Sequence, residues 1–568
     1  MSWWTITVTC LLPPRIPRQG RRPKLTELRA AARWAVAAFS LLLWAYAPGA
    51  APASPAAGET LYRRGLLPSR EPLRAIREGN ATVQGRDAAC VSCHRRSGLG
   101  STEGQITIPP ITGAYLFAPR AKSLEELGIP FVDTVRIAHE PYTDATLARA
   151  IRDGIGANGR PLNYLMPRYQ IDDAAMAELI TYLKGMKFGP VPGVTASVLH
   201  FATIITPDAD PMKRRGMLAV MNQYFADKNN AVARTKAPTL YSSHRMMFRV
   251  ERRWQLHVWE LTGPPATWEA QLRKHLAAEP VFAVISGLGG SHWGPVQRFC
   301  EEQSLPCLFP NVEAPVGHDD DFYSVYFSRG VLLEAQLIAR QLAEADEPIR
   351  RTVQLFRASD VGEQAARDLQ AARAASGQQI VNRVLKAHGS STELGAALHE
   401  VGSADALVLW LRPEDLKSLA GIPVPTSRVW ISGEMGGLEQ APLPASWRAA
   451  TRMAYPVDLP GQRVVRVDYA LSWFRIRKIP VIAQQVQVDT YLACGLVSET
   501  LNHIVDAFVR DYLIERVEMA LDHRVLTGYY PRLTLAPGQR FASKGGYVVR
   551  FADSQGTRVA PLGEWITP

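Results

Sequence analysis

The chain has 568 residues, enough for about three compact domains. Its composition, 47% hydrophobic and 21% charged, is typical of globular protein with ample core-forming side chains. The formal net charge is +11, but residues 1–53 hold seven Arg and Lys against one Glu, a net +6, which leaves +5 for the rest of the chain. A charge this mild argues against nucleic-acid binding, which normally requires a clustered basic face.

Residues 1–53 have the features of an export leader. A basic stretch ends at Arg33, an apolar run covers 34–47, and small residues continue to Ala53. The run is shorter than the roughly 20 residues of a membrane span, so we expect a cleaved signal peptide, with an uncleaved anchor as the alternative. The sequence therefore predicts a periplasmic protein.

The motif Cys90-Val-Ser-Cys93-His94 is the most specific signal in the chain. Two Cys three positions apart, followed directly by His, form the attachment signature of a c-type haem. The thiols add to the porphyrin vinyl groups, and the His becomes the proximal axial ligand of the iron. Half of a zinc site is the main alternative, but the chain has no second Cys pair with ligand spacing. The motif predicts one covalent haem c, which is attached outside the cytoplasm.

Residues 59–188 surround this motif with short helices and turn-rich loops. Thr143 is expected to cap one helix, and a last helix is expected to begin near Asp172 or Asp173. With Met166-Pro167 between these helices, the segment resembles class I cytochrome c, a small all-α domain.

The resemblance implies that Met166 is the distal axial ligand and that the haem exchanges electrons with a redox partner protein, a dehydrogenase or a terminal acceptor. A thioether favours ferrous iron, as an electron carrier requires. Core packing is the alternative role for Met166, and His139 is a competing sixth ligand.

After a proline-rich linker at 189–198, residues 199–568 alternate between strands and helices. Strands are predicted at 199–206, 254–261, 281–286, 307–309, 352–357, 406–410 and 428–431, with helices at 211–229, 267–277, 292–303, 331–345 and 361–374. This alternation predicts doubly wound parallel sheets, and the length predicts two lobes.

The element order, the opening 201–206 and the turn at 281–287 followed by a helix and Leu305-Pro306-Cys307 resemble a type I periplasmic binding protein of the branched-chain amino-acid transport kind. The resemblance implies two α/β lobes that close on a small-molecule ligand, with lobe 2 at about 328–452. It also implies three crossovers, near 321–329, 453–458 and 524–535, and an ABC permease as a candidate partner.

Ligands of open sheets bind beyond the carboxyl ends of the strands. The expected ligand contacts are Ser286, Gly287, Ser291 and Asn311 in the first lobe, and Ser359, Asp360 and Glu434 in the second. A turn or cap role is the alternative for each of them. The segment 287–292 does not fit the dinucleotide fingerprint, because His292 stands where the final Gly is needed.

Cys300 is expected to end a helix and Cys307 to open a strand. Export favours oxidation, so we predict a disulfide between them, with two buried thiols as the alternative. Cys494 lies in an apolar run and is expected to be buried.

These features favour an exported haem electron-transfer protein whose tethered solute-binding module couples ligand or partner recognition to electron flow. The alternative is an ABC-transporter substrate-binding receptor with an accessory cytochrome domain. A haem-linked periplasmic oxidoreductase ranks last, because the sequence offers no acid–base pair, flavin or metal constellation. We therefore expect an electron carrier and binding protein rather than an enzyme, and we assign no catalytic residue.

Overall fold

The computed structural model describes residues 55–103, 106–117, 140–234, 252–318, 320–345, 349–504, 508–536, 538–553 and 556–568. The predicted leader and His139 lie outside the described residues. No helix in the described part of the chain combines the length and hydropathy needed to cross a membrane.

The first unit spans residues 55–185 and combines short helices with short strands. In chain order these are α1 (Pro55–Arg64), β1 (Arg74–Ile76), β2 (Thr82–Gln84), α2 (Val91–His94), β3 (Ser101–Glu103), β4 (Ile106–Ile108), α3 (Gly113–Phe117), α4 (Asp144–Asp153), β5 (Arg168–Gln170) and α5 (Asp173–Gly185). The all-α prediction is wrong here, since β1 pairs antiparallel with β2 and β5, and β3 pairs with β4. Extended segments between short helices satisfy their backbone groups by pairing.

The two predicted helix starts are confirmed. The Thr143 hydroxyl accepts a hydrogen bond from the Thr146 N–H at 3.2 Å and caps α4. The Asp172 carboxylate accepts one from the Ala175 N–H at 2.8 Å and caps α5. In both cases the side chain satisfies a backbone donor that the first helical turn leaves unpaired.

Helices α1 and α5 cross in close contact. A Cβ added at Gly58 would lie 2.3 Å from the Glu178 carbonyl oxygen and 2.7 Å from the Tyr182 Cβ. The Tyr62 and Tyr182 rings pack 5.4 Å apart at the same crossing. A side chain larger than hydrogen at position 58 would therefore push the two helices apart.

The remaining described residues form two α/β lobes, as predicted. The first lobe begins with β6 (Val198–Ile205), α6 (Pro211–Arg234), β7 (Arg253–Glu260), α7 (Trp268–Ala278), β8 (Ala283–Ile285), α8 (Gly294–Glu302), β9 (Cys307–Leu308) and β10 (Ser324–Val325). Its sheet is parallel, with the strand order β10-β9-β8-β6-β7.

The second lobe follows directly along the chain. It contains α9 (Val331–Ala343), β11 (Arg351–Arg357), α10 (Val361–Arg373), β12 (Gln379–Leu385), α11 (Ser391–His399), β13 (Ala406–Trp410), α12 (Pro413–Lys417), β14 (Val429–Ser432), α13 (Gly433–Gly436), α14 (Ala445–Arg448) and β15 (Thr451–Tyr455).

Across the first unit and both lobes, single 3₁₀ turns lie at Glu78–Asn80, Gly85–Ala88, Pro265–Thr267, Ala374–Ser376 and Leu438–Gln440.

The chain then returns to the first lobe before it completes the second sheet. The closing elements are α15 (Pro460–Ile476), α16 (Gln484–Ile504), α17 (Arg510–Asp522), β16 (Tyr547–Phe551) and β17 (Val559–Pro561). Helix α16 packs on α6 and β8, whereas β16 and β17 add antiparallel strands beside β15. The second lobe therefore extends beyond the expected 328–452, because the free edge of β15 pairs with the returning chain.

Three connections join the lobes, at 326–330, 456–459 and 523–546. They fall in or beside the three segments where crossovers were expected. Within the first lobe, Cys300 of α8 and Cys307 of β9 are joined in a disulfide, and their Cα atoms are 6.2 Å apart.

Candidate functional site

The Cys90–His94 motif forms the short helix α2 and the residue before it. The Cys90 carbonyl accepts the His94 N–H at 2.9 Å, which closes one helical turn. Side chains three residues apart share a helix face, so Cys90 and Cys93 lie on the same side of this turn. The turn ends at Arg95, whose positive φ of 63° stops the helix.

The His94 imidazole has a defined tautomer. Its ring is buried, and Nδ1 lies 3.0 Å from the Pro109 carbonyl oxygen. A carbonyl can only accept, so Nδ1 carries the proton and Nε2 keeps its lone pair. Burial lowers the pKa of His94 to about 4, although the bond to Pro109 opposes this effect. The ring is therefore neutral and can act as a ligand through Nε2.

One cavity of about 470 Å³ brings together all four residues predicted to hold the cofactor: Cys90, Cys93, His94 and Met166. Much of the remaining lining is apolar, including Leu61, Leu73, Ile111, Leu116, Leu147 and Leu179. Two exposed cations, Arg77 and Arg160, also line it. The volume is within the range of cofactor and ligand sites.

Met166 is held by backbone contacts on both sides. Its N–H donates to the Asn163 carbonyl at 3.0 Å, and the Arg168 guanidinium donates to the Met166 carbonyl. A tight turn followed by an anchored carbonyl fixes the backbone that carries the thioether. In the sequence, the resemblance to class I cytochrome c had identified Met166 as the candidate distal ligand.

The Cys90 side chain is partly buried and lines this cavity together with Tyr169. Burial raises the pKa of Cys90 to about 12, so the thiol is protonated at neutral pH. Among the described residues, no three His, Cys, Asp or Glu side chains lie close enough together to hold a metal ion.

The interlobe region contains a charged network that the sequence did not predict. Arg412, just after β13, donates to both oxygens of Glu313 in the first lobe, at 2.9 and 2.7 Å. The same guanidinium donates to both oxygens of Asp360 in the second lobe, at 3.0 and 2.6 Å. Lys213 of α6 also bonds Glu313, at 2.7 Å. Arg412 thus bridges the two lobes; we call these four side chains the interlobe latch.

Electrostatics within the interlobe latch favour its charged form. Burial alone would raise the pKa of Glu313, but Lys213 and Arg412 outweigh burial and lower the pKa to about 2. Burial also raises the pKa of the nearby Glu434, and Glu313 raises it further. The Gln485 amide contacts both oxygens of the Glu434 carboxylate, at the long distances of 3.4 and 3.5 Å.

The other predicted ligand residues divide into two groups. Ser291 donates through Oγ to the Ser359 carbonyl at 3.0 Å, a second contact between the lobes. Ser286 and Asn311 instead bond each other at 2.9 Å and lie within 3.3 Å of the Thr490 hydroxyl of α16.

Gly287 has a φ of 138°, and a Cβ there would lie 3.2 Å from the Ile204 carbonyl oxygen, so its role is to allow a close backbone turn. Asp360 caps α10 and also serves as a partner of Arg412. The structure therefore brings Ser291, Ser359 and Asp360 to the boundary between the lobes. It buries Ser286 in the first lobe, where the half-buried Asn311 bonds to it.

Two residues of the interlobe latch that the sequence analysis did not select could have been found from their positions in the chain. Both Glu313 and Arg412 lie shortly after the carboxyl end of a parallel strand, where site residues are expected. Applying that rule to charged side chains as well as to Ser and Asn would have identified them.

No protein-family profile matches the chain, and no curated protein matches it. Solved structures similar to it include a fatty acid ABC transporter substrate-binding protein from Thermomonospora curvata, with 15% identity, a TM-score of 0.46, and coverage of 67% of this chain and 95% of that chain. An ABC transporter substrate-binding protein from Aeropyrum pernix has 13% identity, a TM-score of 0.48, and coverage of 66% and 96%.

The branched-chain amino acid transporter substrate-binding protein LivJ from Streptococcus pneumoniae, solved in complex with isoleucine, has 11% identity, a TM-score of 0.46, and coverage of 66% and 100%.

Proposed function

We propose that the chain is an exported c-type haem electron-transfer protein with a tethered two-lobed module for a small solute or a partner. The observation that carries this proposal is the single cavity that Cys90, Cys93, His94 and Met166 line together. These residues come from segments up to 76 positions apart, so local sequence alone does not bring them together.

The donor set fits a haem c. Two thiols on one helical turn suit covalent attachment, the Nε2 lone pair of His94 suits the proximal position, and the Met166 thioether suits the distal one. When bound, the group would supply a one-electron ferric–ferrous couple. The protein's own part is to keep the His94 ring oriented through the Pro109 carbonyl and to exclude water with an apolar lining. Arg77 and Arg160 offer cations for the acidic propionates.

The compartment is part of the proposal. The leader at 1–53 would direct export, and the Cys300–Cys307 disulfide suits an oxidising compartment such as the periplasm. The redox partner would be a dehydrogenase or a terminal acceptor protein.

Expression in a host equipped for cytochrome maturation tests the cofactor. The expected product is coloured, retains its pigment in acid acetone and gives the pyridine haemochrome spectrum of a haem with two thioether links. A Cys90→Ser, Cys93→Ser double variant is the matched control and should be colourless. Wild-type protein that is colourless, or whose pigment is extracted by acid acetone, would contradict the proposal.

Met166 has its own spectroscopic test. Met166→Ala should remove the sulfur-to-iron charge-transfer band while the covalent haem remains. Met186→Ala is the control, because Met186 lies outside the lining of this cavity. A band that survives in Met166→Ala would exclude Met166 as the distal ligand.

A second candidate function is an ABC-transporter substrate-binding receptor with the haem unit as an accessory. The observation in its favour is the pair of α/β lobes, joined by three connections and meeting through polar groups at strand ends. A solute that entered this boundary would have to displace or join the interlobe latch. An ABC permease would then be the partner.

Solute titration of the ferric and ferrous protein separates the two candidates. A solute raises the melting temperature by mass action. A receptor with an accessory haem should bind with the same affinity in both oxidation states, whereas a coupled electron-transfer device should not.

A further inference from the structure

Three consecutive residues after His94 are held by a single helix of the distant C-terminal part of the chain. Arg95, Arg96 and Ser97 face α17, which presents Asp511, Glu515 and Glu518. Positions i, i+4 and i+7 lie on one helix face. We call these three carboxylates the acidic face of α17.

The central contact is fully buried. The Ser97 N–H donates to one oxygen of Glu515 at 2.8 Å, and the Ser97 hydroxyl donates to the other at 2.6 Å. Ser97 is 4% exposed and Glu515 is 3% exposed. A desolvated contact of this kind is costly to break, because each separated polar group would lack a partner.

The flanking contacts extend the interface. Arg95 forms an ion pair with Glu518, and both side chains are largely buried. The Arg96 guanidinium lies 3.5 Å from Asp511 and 4.5 Å from the centre of the Phe322 ring. The loop is therefore anchored on every residue from 95 to 97.

The acidic face of α17 also reaches the connections between the lobes. The second oxygen of Glu518 accepts from Arg540 at 2.6 Å, and Arg540 lies in the third connection. The Arg540 carbonyl in turn accepts the Tyr326 N–H at 2.9 Å, and Tyr326 begins the first connection. A continuous chain of bonds thus runs from Arg95 to two of the three segments that must bend if the lobes move.

On the other side, the anchored loop is tied to the predicted proximal ligand. The Gly100 N–H donates to the His94 carbonyl at 3.2 Å, and the Gly98 N–H donates to the Arg95 carbonyl at 3.2 Å. Displacement of residues 95–97 would therefore shift the backbone that carries His94.

We propose that the acidic face of α17 positions the proximal haem loop and links it to the interlobe connections, so that opening the lobes changes the reduction potential of the haem. The inference rests on the proposed function, since it requires a haem on His94. Glu515 and Ser97 act as positioning residues, and Glu518 with Arg540 forms the link to the lobes.

The test uses the full-length, haem-loaded protein and spectroelectrochemical titration. Ser97→Ala and Glu515→Gln should each shift the midpoint potential and lower the melting temperature of the haem-bearing unit. A tenfold change in the ratio of reduced to oxidised haem corresponds to about 59 mV for a one-electron couple, and shifts of this order are expected. Asp522→Asn, on the same helix but in an exposed pair with Arg532, is the matched control and should leave the potential unchanged.

A separate experiment tests the link between the haem loop and the lobes. Arg412→Met, which breaks the interlobe latch far along the chain from the haem motif, should also shift the potential. That shift should shrink when Arg412→Met is combined with Ser97→Ala. Coloured protein whose potential does not move in Ser97→Ala, Glu515→Gln or Arg412→Met would overturn this inference alone. Colourless wild-type protein would instead overturn the proposed function, and this inference with it.

Discussion

Arg412→Met tests whether the interlobe latch holds the lobes together. The substitution keeps much of the side-chain volume but removes a guanidinium that makes four hydrogen bonds to Glu313 and Asp360. Glu313 would keep Lys213, whereas Asp360 would keep only its capping role at α10. Loss of one partner from a buried ion pair costs about 3–5 kcal/mol, and loss of an exposed pair costs about 0–1 kcal/mol.

The magnitude follows from the exposure of the latch. Arg412 is 31% exposed, whereas Glu313 and Asp360 are 12% and 20% exposed, so solvent screens the pairs only in part. We expect a loss of about 2–3 kcal/mol in the free energy of unfolding, between the two limits. Two of the four hydrogen bonds join Arg412 to Glu313 in the other lobe, and their loss should let the lobes separate. Small-angle scattering should therefore show a larger radius of gyration for Arg412→Met than for the wild-type protein.

Arg383→Met is the matched control for this experiment. Arg383 forms a 2.6 Å pair with Glu400 in the same lobe, but the side chains are 37% and 55% exposed. Denaturant unfolding should show a loss of no more than about 1 kcal/mol for this variant. Equal losses in the two variants, together with an unchanged scattering profile for Arg412→Met, would refute the interpretation that the interlobe latch helps to hold the lobes together.

Three further predictions concern stability. The pKa of Glu313 is about 2 in the folded protein against an ordinary value of 4.5, so its stabilisation of about 3 kcal/mol is present above pH 4.5 and is lost as the pH falls towards 2. Denaturant midpoints measured across this range should fall more steeply in wild-type protein than in Glu313→Gln. Gly58→Val should lower the free energy of unfolding by about 1–3 kcal/mol, because the added side chain forces α1 away from α5. Gly185→Val is the control: an added Cβ there meets nothing within 4 Å, so thermal melts of the two variants should show a much smaller loss for Gly185→Val. Replacing Cys300 and Cys307 with Ser should cost about 2–3 kcal/mol, because their bridge closes a loop with a sequence separation of seven; an unchanged unfolding midpoint would contradict that estimate.

Local features could be predicted from the sequence because short-range chemistry determines them. The Cys-x-x-Cys-His spacing is a property of one helical turn, and the starts of α4 and α5 follow from side chains that cap their own helices. The alternation of strands and helices likewise predicted the parallel α/β sheets, since the hydrophobic period of each segment is independent of its distant neighbours, and the length predicted two lobes. The short strands around the motif were missed, because three-residue segments carry almost no periodicity.

Only the tertiary structure decided which distant side chains meet. The sequence separates Glu313 from Arg412 by 99 residues and Ser97 from Glu515 by 418, and no local pattern in either segment specifies its partner. Ser286 and Asn311 were predicted as ligand contacts, and the fold brings them together: the Asn311 amide donates to the buried Ser286 hydroxyl at 2.9 Å, which gives that buried polar group a partner. The sequence alone determined the Cys-x-x-Cys-His spacing and indicated the two α/β lobes. The folded chain determined which charges close the lobes and which carboxylates hold the loop after His94, because only packing places an ion pair out of water at a fixed distance.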